Sequence, residues 1–519
     1  MKRREFVRTV GWGAAALTAA GMDDLLRGQP KAKAPNILYI MADDHTTQAM
    51  SCYGGRLNKT PAMDRIAGEG MRFDDCFCTN GICAPSRAVI LTGKYSHRNG
   101  LRDNAHPFDG TQTTFPKLLQ KAGYQTAVIG KWHLQSDPTG FDYWNILPGQ
   151  GDYYNPDFIE MGTRSRRAGY VTDLITDYAV GFLEKRRKGS PFLLMMHHKA
   201  PHRNWQPAPR HLTLYDDVRF PEPETLFDDY ATRSRAAREQ EMTLRDHMDP
   251  ASDLKMGPPP ARLTEDEKAK WEAAYAPKRE AFKRLNPQGE ALVRWKYQRY
   301  MQDYLACVAA VDESIARMLD YLDKAGIAGE TLVVYASDQG FYLGEHGWFD
   351  KRFMFEESLR MPLLARLPGL IKAGSISTDL ISNIDFGPTF LALAGQKPPA
   401  EMQGVPFVDV LRDGRAKAGR EAVYYHYYEF PAVHMAKRQY GIRTRRYKLI
   451  HYYYDIDAWE LYDLEKDPRE LKNVHDDPAY AAIARDHRAE LRRLQAFYGD
   501  SDELAQKFLK EDLAAAPKK

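Results

Sequence analysis

The chain has 519 residues, 43% of them hydrophobic, which is enough for one large domain and a smaller one. Lysine and arginine total 73 and aspartate and glutamate 70, so the overall charge predicts neither nucleic acid nor an anionic membrane as a partner. The cysteines follow neither a disulfide framework nor a paired CxxC zinc pattern; they are Cys52, Cys76, Cys78, Cys83 and Cys307. The composition is that of a globular protein and excludes a fibre or a disordered tail.

Residues 1–20, MKRREFVRTVGWGAAALTAA, combine a twin arginine, Arg3 and Arg4, with a short apolar stretch and small residues near Ala20. This pattern predicts a twin-arginine signal, a partner export machinery and a periplasmic or secreted protein. The alternative is a frayed amphipathic N-terminus. The apolar part is too short for a good membrane span, and we expect no integral membrane segment.

Four β-rich runs each end in polar residues before a helical pattern begins. They are NILYIM (36–41), QTAVIG (125–130), FLLMM (192–196) and TLVVYAS (331–337). This alternation predicts an α/β domain with a mainly parallel sheet. Because ligands of open α/β sheets bind outside the carboxyl ends of the strands, the polar clusters that follow these runs are expected to converge on one edge.

Later segments predict the domain organisation. Residues 203–295 are charged and carry MGPPPARL, which indicates a long surface insertion with helices. Apolar residues at helical spacing predict a core helix over 297–322 that stops near Gly326. We therefore expect a catalytic domain at 34–410 and a C-terminal subdomain at 420–505, with an antiparallel sheet, a charged helix near 478–497 and a frayed end.

The stretch TNGICAPSRAVILTGKY (79–95) predicts an anion site. Pro85 fits the first turn of a helix running over 86–92 and ending at Gly93. Cys83 then lies at the positive end of the helix dipole, where an anion is favoured and a thiol pKa is lowered. The alternative is a buried structural cysteine.

Extended to C-A-P-S-R-A-x-x-L-T-G, the stretch resembles the signature of the type I sulfatases, in which a separate maturing enzyme oxidises the cysteine to formylglycine. The resemblance runs from Asn36 through WELYDLEKDP (459–468). It implies an alkaline phosphatase-like fold: a large mixed, mainly parallel sheet flanked by helices, with a smaller C-terminal α+β subdomain on an antiparallel sheet.

The resemblance also implies why a cysteine stands at position 83. A hydrated formylglycine is a geminal diol, in which one hydroxyl attacks sulfur and releases the alcohol. Deprotonation of the second hydroxyl then expels sulfate and regenerates the aldehyde, so that one difficult step becomes two easier ones. A serine has no second hydroxyl and would remain sulfated.

By the same resemblance, Asp43, Asp44, Asp338 and Gln339 bind a metal together with the oxygen derived from Cys83. Oxygen ligands suit a hard cation, Ca²⁺ with Mg²⁺ as the alternative, whereas zinc prefers nitrogen or sulfur. Many family members have asparagine where Gln339 stands, which puts the geometry of this ligand in question. For Asp-Asp after a strand, the alternative is a turn with a helix cap.

The resemblance assigns proton and sulfate handling to five further residues. Arg87 and Lys131 hold the formylglycine oxygens, and His133 takes the proton of the second hydroxyl. His202 protonates the leaving alcohol, and Lys351 binds the sulfate. Taken singly, such lysines are typical of solvated surfaces and such histidines of hydrogen-bonded loops; only their places at strand ends favour the catalytic interpretation.

Two stretches, HHKAPHRNWQP (197–207) and SDQGFYLGEHGWFDKRFMFEES (337–358), look most like bacterial N-acetylglucosamine-6-sulfatases, which act on host glycans. The implied substrate is a sulfated glycan carrying a hexosamine 6-O-sulfate. Arg203, Trp205 and His434 are candidates to line the sugar subsite, and His346 and Lys199 to support the site.

Other functions remain open. A sulfatase for a uronate 2-O-sulfate or an aryl sulfate has the same motifs. A related phosphatase or phosphonate monoester hydrolase is disfavoured because the metal set fits one hard ion, whereas the two-zinc phosphatases of the same fold need additional histidine ligands. A non-catalytic glycan-binding relative requires the loss of a motif residue, and the sequence has lost none.

Overall fold

The computed structural model describes residues 34–417 and 419–515, and the predicted signal at 1–20 lies outside them. The described strands are β1 Asn36–Ala42, β2 Met71–Phe73, β3 Cys76–Phe77, β4 Gln125–Lys131, β5 Tyr143–Leu147, β6 Asp157–Glu160, β7 Thr163–Arg166, β8 Phe192–His197, β9 Thr331–Ser337, β10 Tyr342–Leu343, β11 Phe349–Asp350, β12 Leu363–Arg366, β13 Ser375–Ser377, β14 Ile381–Ser382, β15 Ala422–Tyr427, β16 Gln439–Thr444, β17 Tyr447–Tyr452 and β18 Ala458–Asp463.

The described α-helices are α1 Pro61–Glu69, α2 Cys83–Thr92, α3 Ser96–Asn99, α4 Phe115–Lys121, α5 Val171–Lys185, α6 Ala236–Glu239, α7 Glu265–Leu285, α8 Gly289–Lys324, α9 Glu356–Leu359, α10 Phe386–Leu393, α11 Val408–Asp413, α12 Ala481–Tyr498 and α13 Asp502–Ala515. None of these helices combines the length and the apolar character needed to cross a membrane.

A ten-stranded sheet forms the centre of the molecule, in the order β13-β2-β12-β9-β1-β8-β4-β5-β6-β7. The four strands predicted from sequence are β1, β4, β8 and β9, and they are neighbours in the middle of the sheet. They run parallel to one another, and β12 pairs antiparallel with β9. The predicted mixed, mainly parallel sheet is therefore confirmed.

Helices cover both faces of this sheet, which explains why its central strands are apolar along their whole length. In β1, Ile37 and Tyr39 pack into one core cluster, and Leu38 and Ile40 into the other. Helices α2, α4 and α10 contribute to the first cluster, and α5 and α8 to the second. The site-bearing strand is thus held from both sides.

The predicted core helix is found, but it is longer than the pattern over 297–322 indicated. Helix α8 extends for 36 residues, and Gly326 follows in the left-handed conformation with φ of 67°. The segment 203–295, which we predicted to be a surface insertion, carries helices and also buries Leu244, Trp271 and Tyr275. Parts of it belong to the core.

A four-stranded antiparallel sheet, β15-β16-β17-β18, follows the predicted boundary segment. The charged helix predicted near 478–497 is α12. The chain end that we expected to be frayed forms α13, and the predicted subdomain limit at 505 falls inside that helix. Val89 of α2 packs with Tyr424 of β15 and Leu491 of α12. Helix α2 is therefore fixed between the two sheets.

Candidate active site

Three carboxylates meet where β1 and β9 end. Asp43 and Asp44 follow β1, Asp338 follows β9, and one oxygen of each lies within 4.8 Å of the others. All three side chains are fully buried. Parallel neighbouring strands place their carboxyl ends together, which is why residues almost 300 positions apart in sequence share one site.

Each carboxylate has a buried cation of its own. Lys131, the last residue of β4, pairs with Asp43. The Lys351 Nζ lies 2.7 Å from Asp44. Two nitrogens of Arg87, Nε and Nη2, donate to the same oxygen of Asp338 at 3.1 and 2.9 Å. The predicted metal ligands and three of the predicted catalytic cations thus occupy one cluster.

Gln339 completes this cluster. Its side-chain nitrogen donates to Asp44, while its Oε1 is buried and has no hydrogen-bond partner among the described residues. An orphaned amide oxygen beside three carboxylates is a donor set for a hard cation such as Ca²⁺ or Mg²⁺. The longer arm of glutamine therefore still reaches the cluster, and the residues present fit a divalent ion.

Cys83 opens helix α2. Ile82 before it is extended, and Gly93 ends the helix in the left-handed conformation with φ of 61°. The helix begins three residues earlier than predicted, with Pro85 still in its first turn. The Cys83 thiol donates to Asp43 Oδ1 at 3.4 Å, so the side chain at the start of helix α2 touches the carboxylate cluster.

The predicted low thiol pKa is wrong for this arrangement. Burial raises the pKa of Cys83 to about 12, and Asp338 and Asp44 add to that rise although Lys351 and Arg87 oppose it. The helix terminus contributes only a partial positive charge, which does not outweigh the loss of solvation. The thiol is therefore not an activated nucleophile here.

Two histidines stand at the edge of the cluster. Burial, with the charges of Lys131 and Arg87, lowers the pKa of His133 to about 2, and its Nδ1 has no partner among the described groups. His202 Nδ1 lies 2.7 Å from the carbonyl oxygen of Arg203. A carbonyl only accepts, so Nδ1 carries the proton, and Nε2 faces Asp44 at 3.8 Å. Burial and Lys131 hold the pKa of His202 well below its usual value.

The three predicted sugar-subsite residues lie in different surroundings. Trp205 has no exposed surface and packs at 4.5 Å between ring centroids against Tyr300, so it offers no face to a sugar, and that expectation is wrong. Arg203 is fixed by two 2.7 Å hydrogen bonds to Asp253. His434 donates from Nδ1 to the Glu241 carbonyl oxygen at 2.7 Å.

Two residues that we did not single out from the sequence adjoin the cluster. Asp350 and Arg352 flank Lys351, and both have left-handed backbones, with φ of 78° and 91°. Arg352 binds Asp350 at 3.1 Å and also Glu429, while His434 Nε2 lies 3.3 Å from Asp350. The charged triplet inside the aromatic run FDKRF was the available signal.

The two supporting candidates have different surroundings. His346 pairs with Asp228 at 2.8 Å and packs against Trp348 and Phe355, which fixes the segment before Lys351. Lys199 lies over the ring of Tyr153.

This mainly parallel sheet, with its flanking helices and a C-terminal antiparallel sheet, defines the alkaline phosphatase-like fold of hydrolases. The sulfatase family profile matches residues 35–396, and a second profile, N-sulphoglucosamine sulphohydrolase, C-terminal, matches residues 344–497. The chain belongs to the sulfatase family and is a sulfuric ester hydrolase.

Similar proteins span most of the chain. An N-acetylglucosamine-6-O-sulfatase of Bacteroides thetaiotaomicron is 54% identical over 489 residues, which are 91% of this chain and 88% of that protein. The human N-acetylglucosamine-6-sulfatase is 26% identical over 423 residues, 76% of this chain and 67% of that protein. A solved structure in complex with its substrate, D-glucosamine-2-N,6-O-disulfate, has a TM-score of 0.89 at 53% identity and covers 91% of this chain and 99% of that one.

Proposed function

We propose that this sulfatase removes the 6-O-sulfate of N-acetylglucosamine or a related hexosamine in sulfated glycans, using formylglycine at position 83 and a divalent metal ion. The observation that carries the proposal is the contact of Cys83 with Asp43, one of three clustered buried carboxylates that are each paired with a cation. No ordinary structural cysteine requires that cluster.

Asp43, Asp44, Asp338 and Gln339 would hold the metal ion, with Ca²⁺ favoured by the oxygen-only donor set. When bound, such an ion supplies a positive charge that polarises the sulfate and favours an ionised nucleophile. The chain's own part is to gather the ligands. Arg87 orients Asp338 through two nitrogens, and the backbone N–H of Asp44 donates to Asp338 at 3.2 Å.

Formylglycine supplies an aldehyde hydrate with two hydroxyls, the property that serine lacks. Helix α2 presents this group at its N-terminus, where Asn104 Oδ1 accepts the Ala84 N–H at 3.0 Å and the Ile82 carbonyl accepts the Ser86 N–H at 3.0 Å, which fixes the first turn. Arg87 and Lys131 hold its oxygens. Their charge there favours the anionic form of the hydrate.

Proton transfer falls to the two histidines. Burial and neighbouring cations hold His133 neutral, which leaves a ring nitrogen with a free lone pair but weakens it as a base; the negative charge of the bound substrate opposes that weakening. His202 Nε2 faces the cluster while Nδ1 is fixed on a carbonyl, which aims Nε2 at the leaving oxygen. The negative charge of bound substrate favours the protonated ring that a general acid requires.

The substrate assignment is supported by the 54% identical relative, named for N-acetylglucosamine-6-O-sulfate, and by the similar structure that holds a 6-O-sulfated glucosamine. On the sugar side we place Arg203 and His434, with Asp350 next to His434. These groups are held rigidly by Asp253 and by the Glu241 carbonyl, which suits specific recognition of sugar hydroxyls.

The proposal includes maturation and location. A formylglycine-generating or sulfatase-maturing enzyme is the implied partner for Cys83. The twin-arginine pattern at 1–20 supports export to the periplasm or beyond.

A panel of sulfated mono- and disaccharides, with released sulfate as the readout, tests the assignment. Fastest release from 6-sulfated N-acetylglucosamine or N-sulfoglucosamine is expected. Preference for a 2-O-sulfated uronate or an aryl sulfate would overturn the hexosamine assignment.

Substitutions at the site test the catalytic residues. Cys83→Ala and Asp338→Ala should each abolish sulfate release, while Cys307→Ala, a matched change at a buried cysteine of α8, should keep it. A rate near wild type in Cys83→Ala or Asp338→Ala would reject the site.

A further inference from the structure

Lys199 differs from the other buried lysines of the described chain. The others each make a hydrogen bond or an ion pair with a carboxylate or carbonyl oxygen; they are Lys94, Lys131, Lys255, Lys296, Lys351, Lys437 and Lys448. Lys199 is 4% exposed and, within residues 34–417 and 419–515, no oxygen bonds to its Nζ. Its neighbour instead is the ring of Tyr153, with Nζ 4.8 Å from the ring centroid.

A ring face compensates a buried ammonium only in part. Burial lowers the pKa of Lys199 to about 8 although the charges of Asp152 and Asp44 oppose this shift, and among the described residues neither carboxylate bonds to its Nζ. The ammonium therefore lacks a directly bonded anion. Each of the three site carboxylates already has a cation, in Lys131, Lys351 and Arg87. Lys199 is the surplus buried cation beside this cluster.

Lys199 is also built into the site by its backbone. The Lys199 carbonyl accepts the His202 N–H at 3.0 Å, and the Ala200 carbonyl accepts the Asp43 N–H at 3.3 Å. The Tyr153 hydroxyl donates to the His202 carbonyl at 2.5 Å, so the ring under Lys199 also holds the turn of the proposed general acid.

We propose that Lys199 is a further substrate-contacting residue, whose ammonium binds a charged oxygen of the scissile sulfate group. This inference rests on the proposed sulfatase site. The sulfate ester brings the negative charge that Lys199 lacks, and an ammonium–sulfate hydrogen bond is charge-assisted. As the bond to the alcohol breaks, the same ammonium offsets charge developing on the transferred group.

Three variants separate contact from mere packing. In Lys199→Met, which keeps length and loses charge, the KM for the 6-sulfated sugar and the inhibition constant of inorganic sulfate should rise about tenfold or more. Lys199→Arg keeps the charge and should restore most of the sulfate affinity. Lys296→Met is the control: its ammonium is held by the carbonyls of Arg245 and Met248 at 2.8 and 3.2 Å, so its loss should affect stability and not sulfate inhibition.

Sulfate inhibition of Lys199→Met equal to that of wild type would overturn the inference while leaving the enzyme a sulfatase. If Lys199→Met does not fold, a crystal structure of the wild-type protein with inorganic sulfate bound beside Lys351 tests whether Lys199 contacts the sulfate. A sulfate oxygen within about 3 Å of Lys199 Nζ supports the contact; an ammonium still resting on Tyr153 alone contradicts it. Failure of the wild-type protein to release sulfate from any ester would instead reject the proposed function.

Discussion

Replacing Arg87 by lysine tests the geometry of the site, because the guanidinium makes contacts that an ammonium cannot reproduce. Its Nε and Nη2 donate to Asp338 Oδ2 at 3.1 and 2.9 Å, and its Nη1 donates to the Lys131 carbonyl at 2.7 Å. A lysine keeps the charge but has a single ammonium. It leaves either the carboxylate or the carbonyl without its donor.

The expected cost follows from burial, since both side chains are almost wholly excluded from water. Losing one hydrogen bond to a charged group costs about 2 kcal/mol of stability, whereas removing the charge, as in Arg87→Met, costs about 3–5 kcal/mol. Loss of a donor where charge develops lowers kcat by about a hundredfold or more. Urea unfolding measures the first effect, and sulfate release measures the second.

Arg420→Lys is the matched control. Arg420 donates to both oxygens of Asp385 at 2.6 and 2.7 Å and to the Leu380 carbonyl at 3.2 Å, so it makes the same kinds of contact away from the site. We expect a similar loss of stability with kcat preserved. If Arg87→Lys keeps kcat within a few-fold of wild type, the role assigned to Arg87 is refuted.

Three further outcomes follow from the structure. Asp512→Ala should lower the urea midpoint without changing KM, since Asp512 ties α13 to Arg102 at 2.9 Å and Arg438 at 2.8 Å; an unchanged midpoint would mean that α13 is not held by these pairs. Burial opposes ionisation of Asp500, but His426 together with His97 and Tyr424 outweighs burial and holds the pKa of Asp500 below its usual value. Ionised Asp500 therefore stabilises the folded protein above the unfolded pKa of about 3.9, and this contribution to stability is lost as the pH falls. Asp500→Asn should lower the urea midpoint at pH 7 and make the decline of the midpoint in acid less steep. A decline as steep as that of wild type would reject this assignment. Chelation should abolish sulfate release and lower the melting temperature, and added Ca²⁺ should restore both; full activity after chelation would reject the metal site.

The sequence was sufficient for the parts of the fold that local pattern controls. The strands that became β1, β4, β8 and β9 are apolar on both faces, and this pattern predicted both their extent and their parallel arrangement. Their shared edge then predicted that Asp43 and Asp338 would meet.

Features set by tertiary contacts were beyond sequence reasoning. Trp205 follows a histidine motif on a loop, yet it is buried by α8, which no local pattern reveals. The thiol pKa depended on the balance between burial and a helix terminus, and that balance requires knowledge of the surroundings. Helix α13 is polar along much of its length and is stabilised by distant arginines such as Arg102.

The central claim is that an aldehyde made from Cys83, beside the carboxylate cluster, is the group that accepts the sulfo group. The most direct measurement prepares the protein with different degrees of maturation and compares sulfate release with the mass of the peptide containing residue 83. Conversion of thiol to aldehyde makes this peptide about 18 Da lighter, whereas ordinary cysteine oxidation adds mass. Activity proportional to the lighter fraction, and zero without it, is the predicted result; full activity in protein whose residue 83 is entirely thiol would contradict the account.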